Sequence, residues 1–146
     1  MPSKATAVWR GSLKEGKGTI STATGVLHDA DYSFATRFEG ADTADTGTTP
    51  EELIAAAHAG CYSMALSALL GAAGLAPYSI QTHAAVTMAK VHAGFAITRI
   101  VLSTTANVPG ATNEVFQQAA ADAKDGCPVS KLFANNTEIT LEARLM

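Results

Sequence analysis

The sequence predicts a fold of mixed strands and helices in the order β-β-β-α-β-β-α-β. Short β-rich segments bounded by glycine-containing turns predict the strands, and two helix-start signals predict the helices. The chain has 146 residues, of which 47% are hydrophobic and 16% are charged. This length and composition fit one domain over residues 1–146 with a core of its own, and they exclude a disordered chain.

Three strands are predicted first, at residues 5–13, 18–22 and 33–39. The third is predicted from alternation, because one face carries Phe34, Thr36 and Phe38 while the other is mainly polar. A loop rich in glycine, aspartate and threonine follows at residues 40–48.

The first helix is predicted to begin at Thr49 and to continue to about Gly71. Thr49 can cap the helix, Pro50 suits its first turn, and Glu52 stands three residues after Thr49, as a capping box requires. Residues 53–76 contain no Asp, Glu, Lys or Arg and could span a bilayer by length. The run is mainly alanine, glycine and serine and has no basic flank, so we expect a fully buried central helix and no membrane partner.

The second half of the chain predicts two long strands, a helix and a last strand. The strands lie at residues 79–91 and 95–108, and the helix begins at a cap on Thr112 or Asn113 and runs to Asp125. Cys127-Pro128 then begins a short turn or helix, and residues 137–145 alternate as the last strand.

Several classes of function are disfavoured by what the sequence lacks. The net charge of −3 argues against a general grip on nucleic acid. The N-terminus has no apolar stretch typical of a secretory signal, so we expect a cytoplasmic protein. The histidines have no zinc-site spacing, and there is no phosphate-binding glycine loop or GxSxG motif, so no metal or bound cofactor is expected.

The two cysteines, Cys61 and Cys127, are too few for a disulfide scaffold and too far apart for a CxxC motif. Cys61 stands ten residues after Glu51, about 15 Å along the helix, where the helix dipole has faded. On local grounds it fits a small buried apolar residue. Cys127 precedes Pro128 at a predicted helix N-cap, so local reasoning makes it the more acidic thiol.

Three other side chains have two interpretations each. Arg37 is either a solvated arginine on the outer face of its predicted strand or an inward guanidinium held by a carboxylate. Glu51 is the candidate carboxylate, although a first-turn acid also suits the helix dipole. His58, one turn before Cys61, could activate a thiol as in cysteine hydrolases, or could be a hydrogen-bonded core histidine.

Three segments of the sequence, at residues 49–54, 56–67 and 126–131, carry a resemblance. With supporting stretches at residues 16–22, 36–40 and 93–98, they resemble the osmotically inducible protein C (OsmC) family. The wider superfamily includes the organic hydroperoxide resistance (Ohr) proteins. The departures are Gly60, Tyr62 and a slightly longer loop at residues 40–48.

The resemblance implies an α+β fold of the OsmC/Ohr type, in which curved antiparallel sheets wrap two long helices in an intertwined homodimer. It also implies a thiol-dependent peroxidase for organic, and less efficiently inorganic, hydroperoxides in stress defence. In that scheme Cys61 attacks the peroxide, Cys127 resolves the sulfenic acid as a disulfide, Arg37 holds the thiolate and Glu51 orients Arg37. The reductant would be an external dithiol, such as a lipoylated protein.

Two alternatives remain open at the level of sequence. The chain could be a binding or stress-protective module with buried, inert cysteines and a small apolar cavity. It could also be a cysteine hydrolase that uses His58 and Cys61, although the sequence offers no third group to orient the histidine.

Overall fold

A computed structural model describes residues 1–40 and 44–146. The described residues form six strands and four helices: β1 (Ala5–Arg10), β2 (Lys17–Thr22), β3 (Ala30–Ser33), α1 (Phe34–Phe38), α2 (Pro50–Ala72), β4 (Ser79–Val91), β5 (Gly94–Asn107), α3 (Asn113–Gly126), α4 (Pro128–Phe133) and β6 (Glu138–Leu145). The chain divides into two compact units, Met1–Leu53 and Ile54–Met146. Part of the predicted loop at 40–48, residues 41–43, lies outside the described residues.

The first unit is built on an antiparallel sheet in the order β1-β2-β3. Gly18 of β2 stands opposite Trp9 of β1. A Cβ at Gly18 would lie 2.6 Å from the Val8 carbonyl oxygen and 2.4 Å from a ring carbon of Tyr32. Only glycine lets the three strands approach this closely at that position.

The prediction of a strand at residues 33–39 is wrong, because β3 ends at Ser33 and α1 begins at Phe34. Ser33 caps this helix: its Oγ accepts from the Thr36 N–H at 3.1 Å, and the Thr36 Oγ1 accepts from the Ser33 N–H at 3.0 Å. This reciprocal capping box satisfies two backbone donors. The Phe34 and Phe38 rings, four residues apart, pack with their centroids 4.6 Å apart.

The predicted start of α2 is confirmed. The Glu52 N–H donates to the Thr49 Oγ1 at 3.0 Å, and Pro50 is the first helical residue. In a capping box the Glu52 carboxylate would accept from the Thr49 N–H. Here it accepts from the Thr48 hydroxyl at 2.6 Å. The helix ends at Ala72, one residue beyond the predicted Gly71.

The expectation that α2 is fully buried is wrong for the single chain. Its buried residues lie four apart and form one narrow stripe: His58, Tyr62, Leu66 and Leu70. Met64, by contrast, is 77% exposed. By length and composition alone, the helix is apolar enough to cross a membrane.

The second unit contains the sheet β4-β5-β6. β4 and β5 form the predicted hairpin, with a register shift between Thr87 and Met88. β6 pairs with β5 in parallel, which corrects the expectation of purely antiparallel sheets. Since α3 and α4 lie between these strands along the chain, they provide the long crossover that parallel pairing requires.

The core of the second unit lies among α2, β5 and α3. Thr112 caps α3 as predicted, with its Oγ1 accepting from the Val115 N–H at 3.3 Å. The fully buried apolar residues are Tyr62, Leu66 and Leu70 from α2, Ile100, Leu102 and Ala106 from β5, and Phe116, Ala120 and Ala123 from α3. With α1 and α4 added, the observed order is β-β-β-α-α-β-β-α-α-β within the described residues.

Gly18→Ala should lower the free energy of unfolding by about 1–3 kcal/mol, because the new methyl group meets a backbone carbonyl that cannot move without disturbing β1. Gly71→Ala is the matched control, since a Cβ at this position on α2 meets no atom of the described residues within 4 Å. It should raise stability by about 0.4–1 kcal/mol through the unfolded state. Urea unfolding of both variants measures the difference, and equal effects would contradict the close approach at Gly18.

Candidate active site

The structure brings the two cysteines together in the second unit. The Sγ of Cys127 lies 2.8 Å from the Sγ of Cys61, across 66 residues of sequence, and both thiols are free. Cys127 is fully buried, whereas Cys61 is half-buried. Cys61 is therefore the more accessible member of the pair.

Cys127 is held at the junction of α3 and α4. Its N–H donates to the Ala123 carbonyl at 3.0 Å, and its carbonyl accepts from the Lys131 N–H at 3.0 Å. The predicted N-cap position before Pro128 is confirmed. Its side chain makes no capping hydrogen bond, however, because the sulfur is turned toward Cys61. The capping contact on which the local argument for Cys127 depends is therefore not formed.

The environment of Cys61 favours the protonated thiol. Burial raises the pKa of Cys61, and the hydrogen-bonded Cys127 thiol raises it further. A hydrogen bond from the Val129 backbone, in the first turn of α4, acts in the opposite direction. With its pKa above the ordinary thiol value, Cys61 needs a cation to become a nucleophile at neutral pH.

In the first unit, Arg37 and Glu51 form a forked ion pair. The Arg37 Nη2 lies 2.7 Å from the Glu51 Oε1, and the Arg37 Nε lies 3.1 Å from the same oxygen and 3.3 Å from Oε2. The two side chains are 37% and 12% exposed. Of the two interpretations of Arg37, the structure favours the guanidinium held by a carboxylate, with Arg37 on α1 instead of on a strand.

An apolar cleft of about 260 Å³ adjoins this ion pair in the first unit. It is lined by Trp9, Leu13, Tyr32, Ser33, Phe34, Arg37, Phe38 and Pro50. The cleft therefore combines aromatic walls with one cation.

His58 makes a contact that the sequence does not indicate. Its Nε2 lies 2.8 Å from the Ser130 Oγ, both side chains are buried, and its Nδ1 has no hydrogen-bond partner among the described residues. Burial lowers the pKa of His58, so the imidazole is neutral at neutral pH. Since Nε2 bonds a serine, the His58–Cys61 arrangement of a cysteine hydrolase is not formed.

The four predicted site residues thus form two pairs, Cys61 with Cys127 and Arg37 with Glu51, each within its own unit. Ser130 is the residue that sequence reasoning missed. It stands three residues after Cys127, as His58 stands three residues before Cys61, and this symmetry of spacing is the one available signal. Among residues 1–40 and 44–146, no group of three or more His, Cys, Asp or Glu side chains could hold a metal ion.

A family model and a curated relative both identify the same family for this chain. A family model for OsmC-like proteins matches residues 42–142. Peroxiredoxin OsmC of Escherichia coli (strain K12) is 52% identical over 142 residues, which cover 97% of this chain and 95% of that protein.

Solved structures extend the similarity to the fold. The organic hydroperoxide resistance protein OhrB of Bacillus subtilis is 27% identical, with a TM-score of 0.73, over 96% of this chain and 97% of that one. The OsmC-like protein of Mycoplasma pneumoniae is 14% identical, with a TM-score of 0.76, over 100% of this chain and 98% of that one. The second likeness is one of fold alone.

Proposed function

The chain belongs to the family of OsmC-like proteins, and from this we propose that it is a peroxidase that reduces organic hydroperoxides through Cys61 and Cys127. The single observation that carries the proposal is the 2.8 Å contact between the two sulfur atoms. The 52% identity to a protein named peroxiredoxin and the likeness to an organic hydroperoxide resistance protein support it.

The proposed reaction has three steps. The Cys61 thiolate attacks one oxygen of the peroxide bond, which breaks to give Cys61–SOH and, after protonation, an alcohol. The Cys127 thiol then displaces the hydroxyl group as water and forms the Cys61–Cys127 disulfide. An external dithiol reduces the disulfide by exchange, and its own two sulfurs are oxidised. A lipoylated protein is the proposed source of that dithiol.

Arg37 supplies the cation in this proposal. The thiol of Cys61 has a raised pKa, so a guanidinium facing it would stabilise the thiolate and polarise the peroxide. The forked contact with Glu51 fixes the plane of the guanidinium, which a single-point ion pair would leave free to rotate.

The apolar cleft beside Arg37 is the proposed site for the organic part of the peroxide. Its aromatic walls can remove alkyl or aryl groups from water, and each buried methylene contributes about 0.8 kcal/mol. Hydrogen peroxide has no such group, so it gains nothing from the cleft.

We propose that the chain works as a homodimer in the cytoplasm. The dimer is supported by α2, which is highly apolar yet buries one stripe only, while Met64 and Leu69 on its other faces are exposed. A second copy of the chain would cover these side chains and account for the composition of α2.

Cys61→Ser should abolish peroxide reduction, because the attacking sulfur is lost. Cys127→Ser should permit one oxidation event per chain but block turnover, since no thiol remains to form the disulfide, and Cys61 should then be oxidised further. Mass spectrometry after one equivalent of organic hydroperoxide should show a Cys61–Cys127 disulfide in the wild type. Sustained turnover by Cys61→Ser would contradict the assignment, and two inert wild-type thiols would favour a binding module.

Bulky organic hydroperoxides should be reduced with a kcat/KM at least about tenfold above that for hydrogen peroxide, corresponding to the burial of about two methylenes. Phe38→Ala, which removes one wall of the cleft, should lower kcat/KM for the organic substrate and leave that for hydrogen peroxide nearly unchanged. One reductant at fixed pH serves for all assays. A loss that is equal for both peroxides would contradict the assigned cleft.

Arg37→Ala should react slowly at neutral pH and recover partly at alkaline pH, because without the cation nothing offsets the burial that raises the pKa of the Cys61 thiol. Arg37→Lys keeps the charge but loses the fork, so its activity should fall between those of the wild type and the alanine variant. Arg99→Ala is the matched control, since Arg99 is exposed and its Nε lies 3.9 Å from Glu138.

Glu51→Ala tests the orienting role most sharply. It deletes a negative charge that by itself disfavours a thiolate, yet it also frees the guanidinium, and we expect the second effect to dominate and slow the reaction. Stopped-flow rates of peroxide reduction decide the sign. A rate equal to or above that of the wild type would contradict the orienting role. Glu51 would then act only as an acidic residue in the first turn of α2.

A further inference from the structure

A buried hydrogen bond joins α2 to α4 one helical turn from the two thiols. It runs between His58 and Ser130, with 2.8 Å between Nε2 and Oγ, and the two residues are 0% and 2% exposed. In the catalytic scheme proposed above, neither side chain has a role.

The bond and the thiol contact form two consecutive cross-links between the same helical segments. His58 precedes Cys61 by three residues on α2, and Ser130 follows Cys127 by three residues at the start of α4. Side chains three apart on a helix lie on one face, so the two cross-links are one turn apart. The earlier residue on α2 meets the later residue of the second segment, so the two segments run in opposite directions at these cross-links. A shift of α4 along α2 would break both cross-links together.

The hydrogen bond resists such a shift because its atoms are buried. A buried donor or acceptor that loses its partner cannot turn to water, so separation is costlier than the loss of an exposed bond. The Cys127 backbone is anchored in α3 and α4 by its own hydrogen bonds. Cys127 can then move relative to α2 only if the whole α3–α4 junction moves. The His58–Ser130 hydrogen bond restricts that movement.

We propose that His58 and Ser130 are positioning residues for the resolving step, which hold Cys127 where it condenses with the Cys61 sulfenic acid. This inference rests on the proposed peroxidase function. The step forms the disulfide and releases water, and it competes with a second hydroperoxide, which oxidises the sulfenic acid to sulfinic acid and is itself reduced to an alcohol. The time that the two sulfurs spend in contact sets the outcome of this competition.

The positioning role predicts a change in the second chemical step and none in the first. In Ser130→Ala, the rate at which Cys61 becomes a sulfenic acid should equal that of the wild type. Disulfide formation should slow by about three- to tenfold, as expected for the loss of one hydrogen bond, and the sulfinic acid fraction should rise by a similar factor. Rapid quenching with a thiol-alkylating agent or a sulfenic-acid trap, followed by intact-mass spectrometry, resolves the species.

Ser63→Ala is the matched control. Ser63 also lies on α2 and loses a hydroxyl hydrogen bond, in this case to the Thr82 Oγ1 at 2.8 Å, but it is not part of the two cross-links. It should resolve at the wild-type rate. If Ser130→Ala does not fold, His58→Gln and His58→Leu carry the same test: the glutamine amide can still donate to the Ser130 hydroxyl, so it should resolve faster than leucine.

The outcomes separate this inference from the proposed function. A wild type that forms neither sulfenic acid nor disulfide with peroxide overturns both. A wild type that forms the disulfide, beside a Ser130→Ala variant that resolves equally fast, overturns the positioning role alone. Equal slowing in Ser130→Ala and Ser63→Ala also overturns it, since the effect would then be general destabilisation.

Discussion

The junction between α3 and α4 is the constraint on which the chemistry of the second unit depends. Cys127 is both the C-cap of α3 and the N-cap of α4, and its backbone N–H and carbonyl each make a hydrogen bond to one of these helices. Pro128 has no N–H to offer and fixes the entry into α4. With the backbone held in this way, the Cys127 sulfur is directed at Cys61 on α2. The two thiols are 66 residues apart in the sequence, so no local pattern indicates their contact.

Burial and reactivity have opposite requirements at the Cys61 thiol. The surroundings that shelter Cys61 also raise its pKa, so protection comes at the cost of nucleophilicity. In the proposed mechanism the two requirements are met by separate parts of the chain. The second unit contains the sheltered dithiol, and the first contains a guanidinium fixed in orientation by a carboxylate.

The sequence predicts elements whose signals are local and fails where tertiary contacts decide. Thr49, Pro50 and Thr112 mark helix starts by their own hydrogen-bonding and backbone chemistry, and the structure agrees. Residues 34–38 alternate like a strand, but a capping box at Ser33 makes a single helical turn the better solution.

Long-range partners are harder to predict. The parallel direction of β6 depends on where the crossover helices return the chain, and a lone serine such as Ser130 carries no signal until its partner is placed. The attacking role proposed for Cys61 rests on family resemblance alone, since local reasoning favours Cys127.

The cleft beside Arg37 also contains Trp9, the sole tryptophan of the chain, which forms one wall and packs on Tyr32 with ring centroids 5.3 Å apart. Indole emission from this protein therefore originates from one place, and it reports optically on the cleft with no attached dye.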